Sequence, residues 1–302
     1  MKKVIEVEHL RKAYGSLVAV NDVSFSVAEG EIFGILGPNG AGKTTTVECV
    51  QGLRPFDSGL IHVLGLDPKS DGIALRQLIG SQLQESALPD RIKVWEALDL
   101  FSSFLPHSLN WCELMNQWGL AEKRNASFSS LSGGQRQRLL VALALVNNPK
   151  IVFLDEMTAG LDPAARHVAW DLIRAIRERG TTVVLVTHFM DEAEHLCDRL
   201  AIVDQGKLVA LDTPQGLITT YANQSKVVFT AEHTDLPWLK QIPHVRSVTR
   251  HGPRVEVEGT GPVLALVAAS LVDHGIVPSD LRTEQPTLED VFLNITGHGA
   301  HN

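Results

Sequence analysis

The chain runs to 302 residues, 44% of them hydrophobic, with a formal net charge of −8 and a pI near 5.8. That length allows one large domain or two modest ones with ample core, and the composition is that of a soluble globular protein. The acidic balance offers no general basic surface, which argues against nucleic acid as a partner, and no apolar run approaches the roughly 18–20 residues that span a bilayer.

The start, Met1-Lys2-Lys3-Val4-Ile5-Glu6, reaches an acid too early for a signal peptide. Cys49, Cys112 and Cys197 stand far apart and form no C-x-x-C pair. Each reads as a small buried hydrophobe in a reducing compartment, so the expected location is cytoplasmic. Residues 4–30 alternate in short segments, Val4-Ile5-Glu6-Val7 and Val23-Ser24-Phe25-Ser26-Val27, which suit an antiparallel sheet at one side of the core.

Glu31-Ile32-Phe33-Gly34-Ile35-Leu36 reads as a buried strand and Thr44 to Val50 as a helix. Between them Gly37, Pro38, Asn39, Gly40, Ala41, Gly42, Lys43 and Thr44 spell G-x-x-x-x-G-K-T. A strand–loop–helix setting is what a phosphate-binding loop requires. Glycines let consecutive N–H groups turn into one concavity, and the helix N-terminus adds partial positive charge there. Lys43 then reaches the β- and γ-phosphates of a nucleoside triphosphate, Thr44 puts its hydroxyl on Mg²⁺, and Thr45 joins the binding set.

Residues of about 86–130 carry helical spacing at Val94 to Phe104 and Trp111 to Gly119, punctuated by Pro106 and the Ser127–Ser130 cluster. Ser132 is a good N-cap for the helix that follows, and Gly133 and Gly134 at its start leave N–H groups free as a second anion site. Ile151-Val152-Phe153-Leu154-Asp155-Glu156 is an apolar run ending in two acids, a parallel strand buried on both faces. Acids at its carboxyl end sit where open α/β sheets place ligands. Asp155 suits the Mg²⁺ shell, and Glu156 suits the orientation or deprotonation of an attacking water. Arg166 to Arg179 is an amphipathic helix opened by Asp162-Pro163 and closed by Gly180. Thr181 to Thr187 is another core strand, and His188 at its end suits the γ-phosphate. Leu200 to Ala210, broken at Asp204-Gln205-Gly206, reads as a hairpin.

After Tyr221 the pattern changes, and a boundary is expected near Ala222-Asn223-Gln224-Ser225. Strand 227–231, helix 236–242, strands 245–250 and 254–257, helix 262–274 and strand 281–284 follow. That β-α-β-β-α-β order suggests a small α+β ferredoxin-like domain over 222–302. The apolar stripe from Val263 to Val272 reads as its core, and a last helix is capped at Thr287. The ending Gly297-His298-Gly299-Ala300-His301-Asn302 reads as a frayed tail rather than a metal site.

Taken in order, the phosphate loop, Leu131-Ser132-Gly133-Gly134-Gln135, the acid pair and the histidine resemble the motif set of ATP-binding cassette (ABC) ATPases. The resemblance covers about residues 3–215. It implies an α/β fold of the P-loop NTPase cassette type, with a mixed central sheet, an antiparallel side sheet and a helical subdomain. It makes residues 1–221 the ATP-binding domain and the 86–130 insert the part that meets a transmembrane partner.

Residue by residue, the resemblance implies that Tyr14 stacks on adenine and that Gln84 contacts Mg²⁺ and the water, with Gln82 the competing candidate. It implies that Ser132, Gly134 and Gln135 contact the γ-phosphate held by an opposite subunit. Asp162, in Ala159-Gly160-Leu161-Asp162, links the two sites, and His188 is the switch histidine. Met157 departs from the proline of many relatives, which tunes a turn and touches no catalytic group. The ending after Gln285-Pro286 resembles ATPases of the ABC-2 export class.

The expectation is therefore a Mg²⁺-dependent ATPase, catalytic through Glu156, His188, Gln84 and Lys43, that pairs with a second copy. It powers a separate integral-membrane permease from the inner face of the cell membrane, exporting drugs, lipids, glycans or ions. The competing readings are a soluble single-cassette ABC ATPase acting on ribosomes or DNA, an importer subunit, and a G-protein-like switch. The last lacks an N-K-x-D guanine-reading motif.

Overall fold

Val23, Phe25 and Val27 are buried along one face of a strand, and that period of two makes the amino-terminal segment half of a sheet rather than a helix. In the computed structural model, which describes residues 2–82, 88–105, 108–221, 225–231 and 236–297, β1 (Lys3–Tyr14) and β2 (Leu17–Ala28) pair antiparallel. β3 (Ile32–Leu36) leaves this ribbon for a second sheet, and β4 (Ser58–Val63) returns to β1, giving the order β2-β1-β4. The antiparallel side sheet expected from residues 4–30 is present, with β4 as an added strand.

The second sheet is six-stranded. Besides β3 it contains β5 (Ile79–Gln82), β6 (Ile151–Asp155), β7 (Thr182–Thr187), β8 (Arg199–Asp204) and β9 (Lys207–Asp212), in the order β5-β6-β7-β3-β8-β9. All pairs are parallel except β8–β9, a hairpin whose turn places Gln205 and Gly206 at positive φ. β3, β6 and β7 are buried along their whole length, as strands covered on both faces must be. Phe33, Ile35, Phe153, Val184, Val186, Ala201 and Val203 share one core with the inner face of the side sheet and with α1 (Lys43–Val50). Strand parity then places Asp155 on the same face as Phe153, toward α1.

α2 (Gly72–Leu78) precedes β5, and α3 (Val94–Ser103), α4 (Trp111–Gln117) and α5 (Gly133–Leu145) pack on one another between β5 and β6. Two short 3₁₀ turns at Ala121–Lys123 and Phe128–Ser130 link them. α6 (Pro163–Glu178) starts at the N-cap Asp162 with proline in its first turn, and Gly180 follows at φ 88°. α7 (Met190–Leu196) precedes β8. Cys49 and Cys197 are buried, whereas Cys112 is exposed on α4. Among the described residues no helix is long and apolar enough to cross a membrane.

The chain divides into two units, Met1–Pro214 and Gln215–Asn302. α8 (Pro214–Tyr221) falls almost wholly in the second, which places the division one helix earlier than the boundary expected near 222. The second unit holds β10 (Ser225–Thr230), β11 (Val245–His251), β12 (Arg254–Gly259) and β13 (Arg282–Glu284), with α9 (Val263–Asp273) and α10 (Leu288–Thr296). Its sheet is antiparallel in the order β11-β12-β10-β13, the ferredoxin-like arrangement.

The expected helix over 236–242 is instead a 3₁₀ turn, Pro237–Gln241. Pro243 forces Ile242 into extended backbone, and five residues are too few to carry an α-helical nucleus. Only Val263, Val267 and Leu271 of the apolar stripe face the core; Leu264 and Val272 are exposed. α10 opens as expected, with Thr287 and Asp290 forming a reciprocal cap. The histidine-bearing tail, 298–302, lies outside the described residues.

Candidate functional site

The loop after β3 turns sharply at Gly42, which stands at φ 98° as the N-cap of α1. A side chain there would run into the Ala19 carbonyl oxygen, so the loop accepts only glycine at this point. The hairpin turn braces the loop from outside, with the Gly206 N–H donating to Ala41 O at 2.9 Å. Lys43 begins the helix and is 5% exposed. Its ammonium donates to Gly37 O at 2.9 Å and Pro38 O at 3.1 Å. Burial lowers its pKa, while the charges of Glu156 and Asp155 pull the other way.

Thr44 Oγ1 donates to Asp155 Oδ2 at 3.2 Å, joining the loop to the end of β6 across 111 positions of sequence. Asp155 Oδ1 is buried with no hydrogen-bond partner among the described residues. Burial raises the Asp155 pKa to about 6; the Thr44 hydroxyl opposes this, Glu156 adds to it, and Lys43 opposes it. The hydroxyl and carboxylate together form an oxygen-only donor set, the kind that a hard divalent cation takes.

Glu156 stands one residue beyond β6 at φ 48°, a left-handed conformation that is costly outside glycine and that clusters at functional sites. Its N–H donates to Val186 O of β7 at 2.9 Å, which fixes the turn. Glu156 Oε1 lies 3.0 Å from His188 Nδ1, and the imidazole also packs on the Phe189 ring. A cleft of about 370 Å³ is lined by Tyr14, Leu17, Ala19, Asn39, Gly40, Gly42, Lys43, Thr44, Thr45 and Glu156. It therefore brings together the aromatic of β1, the phosphate loop and the carboxylate beyond β6. Lys12 and Arg54 place cations 5.2 and 5.4 Å from the centre of the Tyr14 ring.

Ser132 to Gln135 do not line this cleft. They form the start of α5, where Ser132 Oγ accepts from Gln135 N and Gln135 Oε1 accepts from Ser132 N at 3.0 Å. The Gln135 side chain, expected to face phosphate, is thus engaged in the cap of its own helix. Ser132 and Gly133 are exposed. Asp162 is likewise engaged, accepting from Ala165 N at 2.9 Å. Gln84 lies outside the described residues, and Gln82, its competitor, is buried at the end of β5.

The ABC transporter family model matches residues 20–159. The chain is 40% identical over 301 residues to a Nod factor export ATP-binding protein of Bradyrhizobium diazoefficiens, covering 97% of this chain and 96% of that protein. It is 33% identical over 306 residues to the linearmycin resistance ATP-binding protein of Bacillus subtilis, covering 97% and 98%.

The chain belongs to the ABC transporter ATP-binding proteins.

A dimeric ATP-binding cassette solved with ADP and Pi superposes with a TM-score of 0.63 at 26% identity, over 69% of this chain and 98% of that one. An ABC cassette domain implies ATP hydrolysis, and cassettes of this family bind ATP and ADP. Two features of the site in this ABC protein escape sequence reading. One is the direct Glu156–His188 contact. The other is Glu192 on α7, which has 0% exposure although it lies in the acidic run Asp191-Glu192-Ala193-Glu194. Such a run reads as a solvated helix face, and nothing local marks one of its acids as buried.

Proposed function

We propose that this ABC protein binds ATP with Mg²⁺ in the cleft beside Lys43 and hydrolyses it by direct attack of water. Hydrolysis powers a separate integral-membrane permease that exports its substrate. The observation that carries the reading is Glu156, on the rim that Lys43 and Thr44 also line, paired to His188 at 3.0 Å, with Asp155 bonded to Thr44. Lys43 and the loop N–H groups hold the phosphates, Tyr14 stacks on adenine, and Glu156 takes the proton of the water while His188 orients it. Thr44, Asp155 and, by resemblance, Gln84 would hold Mg²⁺; the unpaired Asp155 Oδ1 supports that fit. A bound Mg²⁺ would supply positive charge that offsets the negative charge of the phosphates.

Export is supported by near full-length similarity to proteins of Nod factor export and linearmycin resistance. The cargo then falls among drugs, lipids, glycans or ions and is chosen by the permease. The working unit is a homodimer in head-to-tail register. Ser132–Gln135 form an anion site away from their own cleft, and the dimeric neighbour holding ADP and Pi supports this arrangement. The protein sits peripherally on the inner face of the membrane through its permease. The second unit, Gln215–Asn302, is an accessory domain with no chemistry of its own.

The test is ATP hydrolysis by the purified chain with and without Mg²⁺. Lys43→Ala should weaken nucleotide binding and hydrolysis together. Glu156→Gln should keep binding and lose turnover by roughly 10²- to 10⁴-fold. Wild-type turnover in Glu156→Gln would overturn the base assignment.

A further inference from the structure

Glu192 is the one acid of α7 that the solvent does not reach. Asp191 beside it pairs with Arg166 at 3.1 Å, and Glu194 is exposed. The groups facing the Glu192 carboxylate are the hydroxyls of Thr187 and Thr158 and the indole N–H of Trp170. All three residues are themselves buried. Thr187 Oγ1 already accepts the Phe189 N–H at 3.0 Å, so its own proton is directed elsewhere, with Glu192 in reach. Thr158 Oγ1, Trp170 Nε1 and both Glu192 oxygens are buried, and none of them meets an aligned hydrogen-bond partner among the described residues, each other included. The four side chains form one polar cluster inside an apolar surround.

The place of that cluster is informative. Thr158 is two residues beyond Glu156, in a loop of consecutive turns in which the Ala159 N–H donates to Glu156 O and the Leu161 N–H to Thr158 O. That loop ends at Asp162. Thr187 directly precedes His188. One carboxylate thus faces side chains from both segments that carry the Glu156–His188 contact, without lining the cleft. A buried charge held by loosely aligned donors is a poor source of stability, and an apolar side chain of the same size would serve the fold as well.

We infer that Glu192 is a positioning residue for ATP hydrolysis: by joining Thr158 to Thr187 it holds Glu156 and His188 in register with each other. The inference rests on the reading of that pair as the hydrolytic one. It predicts that Glu192 acts on turnover and not on nucleotide affinity, because it does not line the cleft.

The experiment measures kcat, KM and ATP binding for the purified full-length chain carrying Glu192→Leu, His188→Ala, both together, and Glu156→Gln as reference. Glu192→Leu should keep ATP binding within about threefold and lower kcat by roughly 10- to 100-fold, the cost of misplacing a reacting group by about an ångström. The double variant should fall no further than His188→Ala alone, because both act through one pair. If Glu192→Leu does not fold, Thr158→Val takes its place, and Thr158→Ser should restore the lost turnover. Wild-type kcat in Glu192→Leu, or multiplying losses in the double variant, would overturn the inference while Glu156→Gln remains inactive. Wild-type turnover in Glu156→Gln would overturn the underlying reading and the inference with it.

Discussion

Glu156 Oε1 and His188 Nδ1 stand 3.0 Å apart just beyond the ends of β6 and β7, two parallel strands paired in register from Ile151–Thr182 to Asp155–Val186. The register makes the contact possible, since β7 runs one residue beyond the level of Asp155 and the first residue past each strand comes to the same edge of the sheet. Removing the imidazole leaves Glu156 in its left-handed turn without its orienting partner. His188→Ala should therefore lower kcat by roughly 10- to 10³-fold while ATP binding stays within about threefold. Steady-state hydrolysis alongside nucleotide binding measures both. Unchanged kcat would remove His188 from the hydrolytic pair.

Asp155 gives a stability prediction with a definite sign. Burial raises its pKa in the folded chain to about 6, above the ordinary value of about 3.8. Between those values the folded chain holds a proton that the unfolded chain has released. The stability associated with Asp155 is therefore present at low pH and is lost as pH rises through that window. Asp155→Asn removes the buried charge. In metal-free buffer it should raise stability at pH 8 by up to about 2–3 kcal/mol, and the gain should shrink toward zero near pH 4. Hydrolysis should be lost in the same variant. Thermal unfolding across this pH range checks the trend, and a gain independent of pH would show that the charge is not its source.

The separation of Ser132–Gln135 from the cleft predicts ATP-dependent association. Glu156→Gln should run as a dimer with ATP and as a monomer with ADP in size-exclusion chromatography. Adding Ser132→Arg places a bulky cation at the exposed start of α5 and should abolish the ATP-dependent dimer while leaving ATP binding to the cleft intact. A dimer that survives Ser132→Arg would mean that the contact between subunits lies elsewhere.

Read alone, the sequence determined the features whose physics is local. Gly37 to Thr44 announces a phosphate loop because glycines, a lysine and a helix start must be contiguous to cradle an anion. The apolar run ending at Asp155 and Glu156 marks a buried strand with acids at its mouth. Thr287, and Asp162 with Pro163, announce helix starts because a cap bonds within its own first turn. The α+β order of the second unit was legible from periodicity.

Tertiary structure decided whatever depends on which elements become neighbours. Thr44 meets Asp155 across 111 positions and His188 meets Glu156 across 32, distances over which no local pattern carries information. Periodicity names the faces of a helix without naming what covers them, which is why Leu264 and Val272 were expected in the core and lie exposed. Gln135 was read as a ligand for the phosphate held by an opposite subunit, and what the fold of the single chain adds is the bond of its side chain to the start of its own helix. Glu192 shows the same limit most sharply. Its neighbours in sequence are solvated acids, and only the packing of α7 against β7 and α6 takes this carboxylate out of water and sets it among Thr158, Thr187 and Trp170.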